Sequence, residues 1–159
     1  MEEIWKPVKG FEGYYEVSNL GRVRSVDRIV YDTVRNRYRL LRGKVLTERD
    51  NGNGYKGVMF CKEHKLCQKY IHILVAEAFL DNPDNLPQVN HKDENKANNT
   101  VDNLEWCTSY YNNEYGTRKE RWYKTRIKNG TIDPSHIGTK IRKGTFINKV
   151  TSSYVYVKK

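Results

Sequence analysis

His91 stands in the run Gln88-Val89-Asn90-His91-Lys92-Asp93-Glu94-Asn95, and amides recur downstream at Asn103 and at Asn112-Asn113. A neutral imidazole can take a proton from water near pH 7, and side-chain carbonyl or carboxylate oxygens suit a hard divalent ion such as Mg²⁺. The residue types are therefore compatible with a general base working beside a metal. Lone histidines and asparagines serve structure more often than catalysis. Chemistry alone leaves both readings open.

The elements that must position these residues can be read from periodicity. Residues 87–91 suit a short strand, residues 92–103 a polar loop carrying Asn95, Asn98, Asn99 and Asn103, and residues 104–107 (Leu-Glu-Trp-Cys) a second strand. Thr108 or Ser109 can cap a helix through Asn112, Asn113 and Tyr115, with Gly116 as its end or kink. Upstream, Ile71, Leu74, Val75, Ala78 and Phe79 follow the spacing of a short amphipathic helix, which Pro83 prevents from continuing. Residues 55–62 and 67–71 read as a hairpin about residues 62–65, preceded by the turn signal Asn51-Gly52-Asn53-Gly54. Residues 4–28 carry strand-and-turn grammar, with a turn at Asn19-Leu20-Gly21 and with Arg22 and Arg24 on one face. Arg35, Arg37 and Arg39 at a spacing of two favour an extended basic ribbon over a helix.

Charge divides the chain. Residues 1–116 hold 17 Lys+Arg against 17 Asp+Glu, whereas residues 117–159 hold 12 against 2, so the whole net charge of +10 lies in the last 43 residues. Within the balanced part, residues 22–49 carry nine basic and three acidic side chains. Basic regions thus flank a neutral centre, which reads either as two solvated surfaces or as a polyanion footprint at each end. Residues 117–129 have helical composition, with Arg118, Arg121, Lys124 and Lys128 at helical spacing and Gly130 as a stop. Asp133-Pro134 can open another short helix, and residues 153–157 alternate like an edge strand. No apolar run reaches 18 residues, no basic leader with an apolar stretch precedes the first strand, and three cysteines cannot all pair within one chain. These features predict no membrane partner and a reduced, cytoplasmic setting.

In their order, His91, Asn103 and Asn112 on strand, loop, strand and helix resemble the HNH nucleases, whose fold is the ββα-metal motif. Residues 72–112 (HILVAEAFL, QVNHKDENKANN, DNLEWCTSYYN) are similar to the HNH subgroup of phage and intron homing endonucleases. Residues 4–28 resemble the NUMOD-type DNA-binding motif that often precedes that module. The resemblance implies an α+β fold in three parts: an N-terminal antiparallel β DNA-binding region (1–69), the ββα-metal module (70–116) and a basic helical DNA-contacting segment (117–159). It also implies roles. His91 would activate water as general base, Asn103 would pin the intervening loop by hydrogen bonds to its backbone, and Asn112 would bind one divalent ion, Mg²⁺ or Mn²⁺, through its amide oxygen. Asn90 would be the second metal ligand, at a position where relatives often carry Asp. Asp93 and Asp102 are the nearby carboxylates able to substitute.

The expected activity is metal-dependent, sequence-specific hydrolysis of double-stranded DNA, most simply nicking, by a monomer in a bacterial or phage-infected cell. Products would carry 5′-phosphate and 3′-hydroxyl ends. Arg22, Arg24, Arg35, Arg37 and Arg39 at one end, with Arg118, Arg121, Lys124 and Lys128 at the other, are the expected DNA contacts. The alternative is a DNA-binding regulator that keeps the scaffold without turnover. A zinc site at Cys61, His64 and Cys67 is not expected, because no CxxC pair is present and a hairpin turn accounts for His64. His72 is expected to pack or cap rather than ligate, and Trp106 and Phe79 to lie in the core.

Overall fold

Short apolar runs broken by glycine and asparagine give short strands, and each break falls at a turn. The computed structural model describes residues 2–63 and 65–131. In it β1 (Trp5–Pro7), β2 (Tyr15–Ser18) and β3 (Val23–Ser25) form an antiparallel sheet in that order. Asn19, in the β2–β3 turn, ties down the N-terminal strand: its Oδ1 accepts from the Ile4 amide at 2.8 Å and its Nδ2 donates to the Glu2 carbonyl at 3.0 Å. Gly21 sits at φ +83°, and a Cβ placed there would come within 2.9 Å of the Asn99 Cβ. Only glycine meets both demands, the left-handed backbone and the close approach.

Arg37 and Arg39 lie on an extended strand, as their spacing predicts, whereas Arg35 falls in the turn before it, where Asn36 takes φ +49°. β4 (Arg28–Asp32) and β5 (Arg37–Leu41) form a two-stranded antiparallel ribbon. Because side chains alternate along a strand, the register places Ile29 and Tyr31 with Leu40 and Tyr38 on one face, and Arg28, Val30 and Asp32 with Arg37, Arg39 and Leu41 on the other. The apolar face is open to solvent, with Ile29 72% and Tyr38 75% exposed.

β6 (Arg49–Asp50), β7 (Lys56–Lys62) and β8 (Lys65–Tyr70) make a second three-stranded sheet, with the Asn51-Gly52-Asn53-Gly54 turn between β6 and β7. The helix α1 (Ile71–Phe79) follows directly and buries Ile71, His72, Leu74, Val75 and Ala76. It ends where Leu80 donates to the Ala76 carbonyl, three residues before Pro83. β9 (Gln88–His91) then pairs antiparallel with β10 (Leu104–Cys107), setting Leu104 opposite His91 and Glu105 opposite Asn90.

One hydrophobic core joins β2, β3, β7, α1, β9 and β10, while the β4–β5 ribbon stays outside it. Val17 and Val23 of the first sheet meet Val58 and Phe60 of β7, Ile71 and Val75 of α1, Val89 of β9 and Leu104 of β10. The Tyr15 ring stacks on Phe60 at 4.2 Å, and its hydroxyl both accepts from the Cys61 amide and donates to the Cys61 carbonyl. Residues on either side of position 69 therefore share one interior. Phe79 and Trp106 pack against its edge, as expected of core residues.

A second compact unit begins at Thr108. Thr108 caps α2 (Ser109–Glu114), its hydroxyl accepting from the Tyr111 amide at 3.1 Å. Gly116, at φ +58°, ends that turn, and α3 (Arg118–Lys128) follows with no buried residue. Gly130 closes α3 at φ +65°: its amide donates to the Ile127 carbonyl and that of Thr131 to Arg126, the paired bonds of a Schellman cap. Taken together, the described residues have the expected α+β architecture, with antiparallel sheets and few helices. The helix expected from Asp133, the strand over residues 153–157, His136 and His64 of the zinc reading lie outside the described residues.

Candidate active site

Asn90 and His91 end β9, and both are buried, at 6% and 5% exposure. The loop that follows folds back so that Lys92 donates its amide to the Asn103 carbonyl at 2.8 Å. Asn103 fastens that loop from inside. Its Oδ1 accepts from the Asp93 amide at 3.0 Å, and its Nδ2 donates to Asp93 Oδ1 and to the Asn98 carbonyl, both at 2.8 Å. Both oxygens of the Asp93 carboxylate accept within the loop, since it also takes the Asn95 amide on Oδ1 and Asn98 Nδ2 on Oδ2. The Asn98 amide, then the other hydrogen bonds, hold this carboxyl below the usual carboxylate range. The polar loop is ordered by hydrogen bonds from its asparagines to Asp93 and to loop backbone.

His91 Nε2 lies 3.1 Å from Asn99 Oδ1, and Asn99 Nδ2 donates to the Ala97 carbonyl at 3.3 Å. The other ring contacts of His91 are Tyr55, at 6.1 Å between centroids, and His72, at 5.1 Å. His72 is itself 7% exposed and its Nδ1 is buried without a hydrogen-bond partner. Burial, then the neighbouring His91, pulls its pKa down to about 4, so the ring is neutral at physiological pH. It packs rather than caps, since α1 has no side-chain cap. Burial is also the main influence on His91, holding it below the ordinary imidazole value against the opposing pull of Asn99 and Asp93. Burial thus favours the neutral, basic form of the imidazole next to the loop. Lys96 latches the loop to the Asn51–Gly54 turn: its Nζ donates to the Asn53 carbonyl and lies 4.5 Å above the Tyr55 ring.

Across the two-stranded sheet, Asn90 Nδ2 donates to Glu105 Oε1 at 2.8 Å. That bond orients the amide and leaves its carbonyl oxygen as the acceptor available to a cation. Oxygen donors of this type match the preference of Mg²⁺ or Mn²⁺, so the residues fit the implied ion. Among the described residues no group of three or more His, Cys, Asp and Glu is assembled for a metal. Asp102 is an exposed residue of the 3₁₀ turn Val101–Asn103, and its carbonyl takes the Lys92 ammonium. Asn90, His91 and Asn103 are thus gathered in one compact unit, with Asn99, Glu105 and His72 as neighbours that residue spacing did not single out for this site. Asn112 lies on α2 of the second unit.

The arginines have individual partners. Arg24 pairs with Glu16 at 2.7 Å and lies 4.2 Å above the Trp5 ring, while Arg22 pairs with Glu3 and faces the same indole at 5.8 Å. Arg35 and Arg39 share Asp32, at 3.7 and 3.6 Å, and Arg37 is exposed beside them on β5. On α3, Arg118 donates to Asn113 Oδ1, Arg121 to the Thr117 hydroxyl, and Lys124 pairs with Glu120 one turn back, while Lys128 is exposed in the last turn.

Comparison with known proteins covers most of these residues. Residues 3–61 match the NUMOD4 motif and residues 69–114 match the HNH endonuclease family. The DNA endonuclease I-HmuI of Bacillus phage SP01 is 36% identical over 110 residues, 69% of this chain and 55% of that protein. An uncharacterized HNH endonuclease of Acanthamoeba polyphaga mimivirus is 44% identical over 69 residues, 43% of this chain and 21% of the relative. Among solved structures, one of DNA binding and cleavage by the HNH homing endonuclease I-HmuI superposes with a TM-score of 0.52 at 31% identity, covering 85% of this chain and 63% of that one. The chain spans about half the length of the I-HmuI relative.

Proposed function

From a chain that joins a NUMOD4 motif to an HNH endonuclease module and is homologous to I-HmuI, we propose a metal-dependent DNA endonuclease of the homing type, with His91 as general base. The observation that carries this reading is His91 itself, a buried imidazole at the end of β9 beside a loop that Asn103 staples shut, with burial holding its pKa below the ordinary value. A base of this kind takes a proton from water as the water attacks phosphorus, a contribution of about 10²–10⁴ in rate. Asn103 acts through the loop, keeping residues 92–103 closed around the histidine. A divalent ion, Mg²⁺ or Mn²⁺, held by the Asn90 amide oxygen and, as the resemblance implies, by Asn112, would neutralise phosphoryl charge and assist departure of the 3′ oxygen. Glu105 fixes which way the Asn90 amide faces. Hydrolysis leaves 5′-phosphate and 3′-hydroxyl ends, and a monomer with one such site nicks one strand.

Double-stranded DNA is the substrate that the basic regions suit. The β4–β5 ribbon has the width of the major groove, an exposed apolar face able to meet thymine methyls, and Arg37 and Arg39 on its reverse. Arg22 and Arg24 keep 54% and 41% of their side chains exposed while paired with glutamates. A phosphate reaching them would displace carboxylates already in place. Arg118, Arg121, Lys124 and Lys128 line an exposed helix whose repulsion a polyanion relieves. The 117–159 segment is accordingly the second DNA-contacting part.

Cleavage of long DNA that includes the protein's own genomic neighbourhood tests the proposal. Wild type and His91→Ala are compared with Mg²⁺, with Mn²⁺ and with EDTA on native and denaturing gels. Metal-dependent strand cuts by wild type that the variant lacks are expected. Binding without cuts under either metal would overturn the endonuclease reading in favour of a DNA-binding regulator.

A further inference from the structure

The side chain that touches the His91 ring edge is Asn99, which is 5% exposed. An Asn carbonyl oxygen cannot donate, so the imidazole nitrogen 3.1 Å from it must carry the proton. The amide orientation is fixed by the network, because Nδ2 donates to the Ala97 carbonyl and a flipped amide would set two oxygens against each other. With Nε2 protonated, the lone pair of neutral His91 resides on Nδ1. Asn99 is in turn held from behind by the β2–β3 turn of the first sheet. Val101 donates its amide to the Asn19 carbonyl at 2.9 Å, and Gly21 leaves room for the Asn99 backbone that any Cβ would close.

We propose that Asn99 is a positioning residue that holds His91 as its Nε2–H tautomer, with Nδ1 as the atom that accepts the proton of the attacking water. The 19–21 turn of the NUMOD4 motif is the wall that keeps Asn99 in place. The NUMOD4 motif then does more than carry basic side chains, since one of its turns helps shape the catalytic loop. This inference rests on His91 being the general base. The proton balance is simple: Nε2–H stays bonded to Asn99 throughout, and the proton from water ends on Nδ1, making a cation that the Asn99 carbonyl still accepts from.

The test uses the full chain labelled with ¹⁵N-histidine, in wild type, Asn99→Leu and Asn99→Asp, with the His91 signals assigned by their loss in His91→Gln. At a pH where His91 is neutral, wild type should show a protonated Nε2 and an unprotonated Nδ1. Asn99→Leu should shift both nitrogens towards a mixture of tautomers. Its single-turnover cleavage should fall roughly 10- to 100-fold, a share of what a general base supplies, with DNA affinity unchanged. Asn99→Asp, which keeps an acceptor at the same place, should restore the single tautomer and most of the rate. A wild-type spectrum with the proton on Nδ1, or an Asn99→Leu protein with unchanged shifts and rate, overturns the proposal. The wild-type spectrum decides even if Asn99→Leu fails to fold. If wild type cuts no DNA, the endonuclease reading fails, while the nitrogen shifts still report separately on the Asn99 contact.

Discussion

Acid should unfold this protein through His72. Its ring is 7% exposed, its Nδ1 has no partner, and burial takes its pKa from 6.5 to about 4. Below pH 6.5 the unfolded chain binds a proton at His72 that the folded chain refuses until about pH 4. Stability from this group is therefore complete above pH 6.5 and is lost progressively as pH falls towards 4. The integrated loss is about 2 kcal/mol at pH 5 and about 3 kcal/mol below pH 4, since each tenfold difference in proton affinity is worth about 1.4 kcal/mol. His91, also held below its ordinary value by burial, adds in the same direction. Urea unfolding at pH 7.5, 6.0 and 5.0 measures the slope, and His72→Phe isolates the His72 share by filling the same aromatic cluster without a titratable group. The variant should lose about 2 kcal/mol less than wild type between pH 7.5 and 5. Identical pH dependence in the two proteins would refute the reasoning and imply that the His72 ring is hydrated or partnered when folded.

Three further outcomes follow from the same contacts. Gly21→Ala forces a Cβ into a left-handed backbone and against Asn99, which should cost roughly 2–4 kcal/mol by thermal or urea unfolding; a loss below about 0.5 kcal/mol would show that the turn gives way freely. Asn90→Asp sets a second carboxylate against Glu105, directly opposite on β10. In EDTA it should melt below wild type, and it should gain more from Mg²⁺ than wild type does; equal melting in EDTA would refute the like-charge argument. Finally, if about six cations of residues 117–159 meet phosphates, log K for DNA should fall with log salt at a slope near −5. Arg37→Ala should reduce the full-length slope by about one, and a slope near zero in wild type would refute phosphate contact by the basic segment.

What could be read from the residues was whatever is decided locally. The turns at Asn19-Leu20-Gly21 and Asn51-Gly52-Asn53-Gly54, the Thr108 cap and the Gly130 stop are all properties of a few neighbouring residues, and each falls where its sequence places it. The spacing of Arg37 and Arg39 likewise matched an extended ribbon, but Arg35, two residues earlier, belongs to its turn. Contacts that depend on how distant segments close were not legible. Glu105 meets Asn90 only through the β9–β10 register, and His72 meets His91 only because α1 packs behind that strand pair. Asn99 is one of several asparagines in a polar loop, and no spacing rule separates the one facing His91 from the one held by Asp93. The pairing of Arg22 and Arg24 with Glu3 and Glu16 over Trp5 is a further case, since charge counting sees only the surplus and not its partners.

Why amides fill this site follows from what it would approach. A phosphodiester is an anion, and a loop lined with free carboxylates would repel it before any chemistry. The loop instead orders itself with Asn95, Asn98, Asn99 and Asn103, and the Asp93 carboxylate near its start accepts from donors on three of them. Position 90 fits the same logic. An aspartate there would stand against Glu105, whereas an asparagine donates to that carboxylate and keeps its own oxygen as an acceptor. The negative charge that Asp would have supplied is thus already present one strand away, on β10. Asn90 is best understood together with Glu105, as half of a cross-strand pair that carries one charge instead of two.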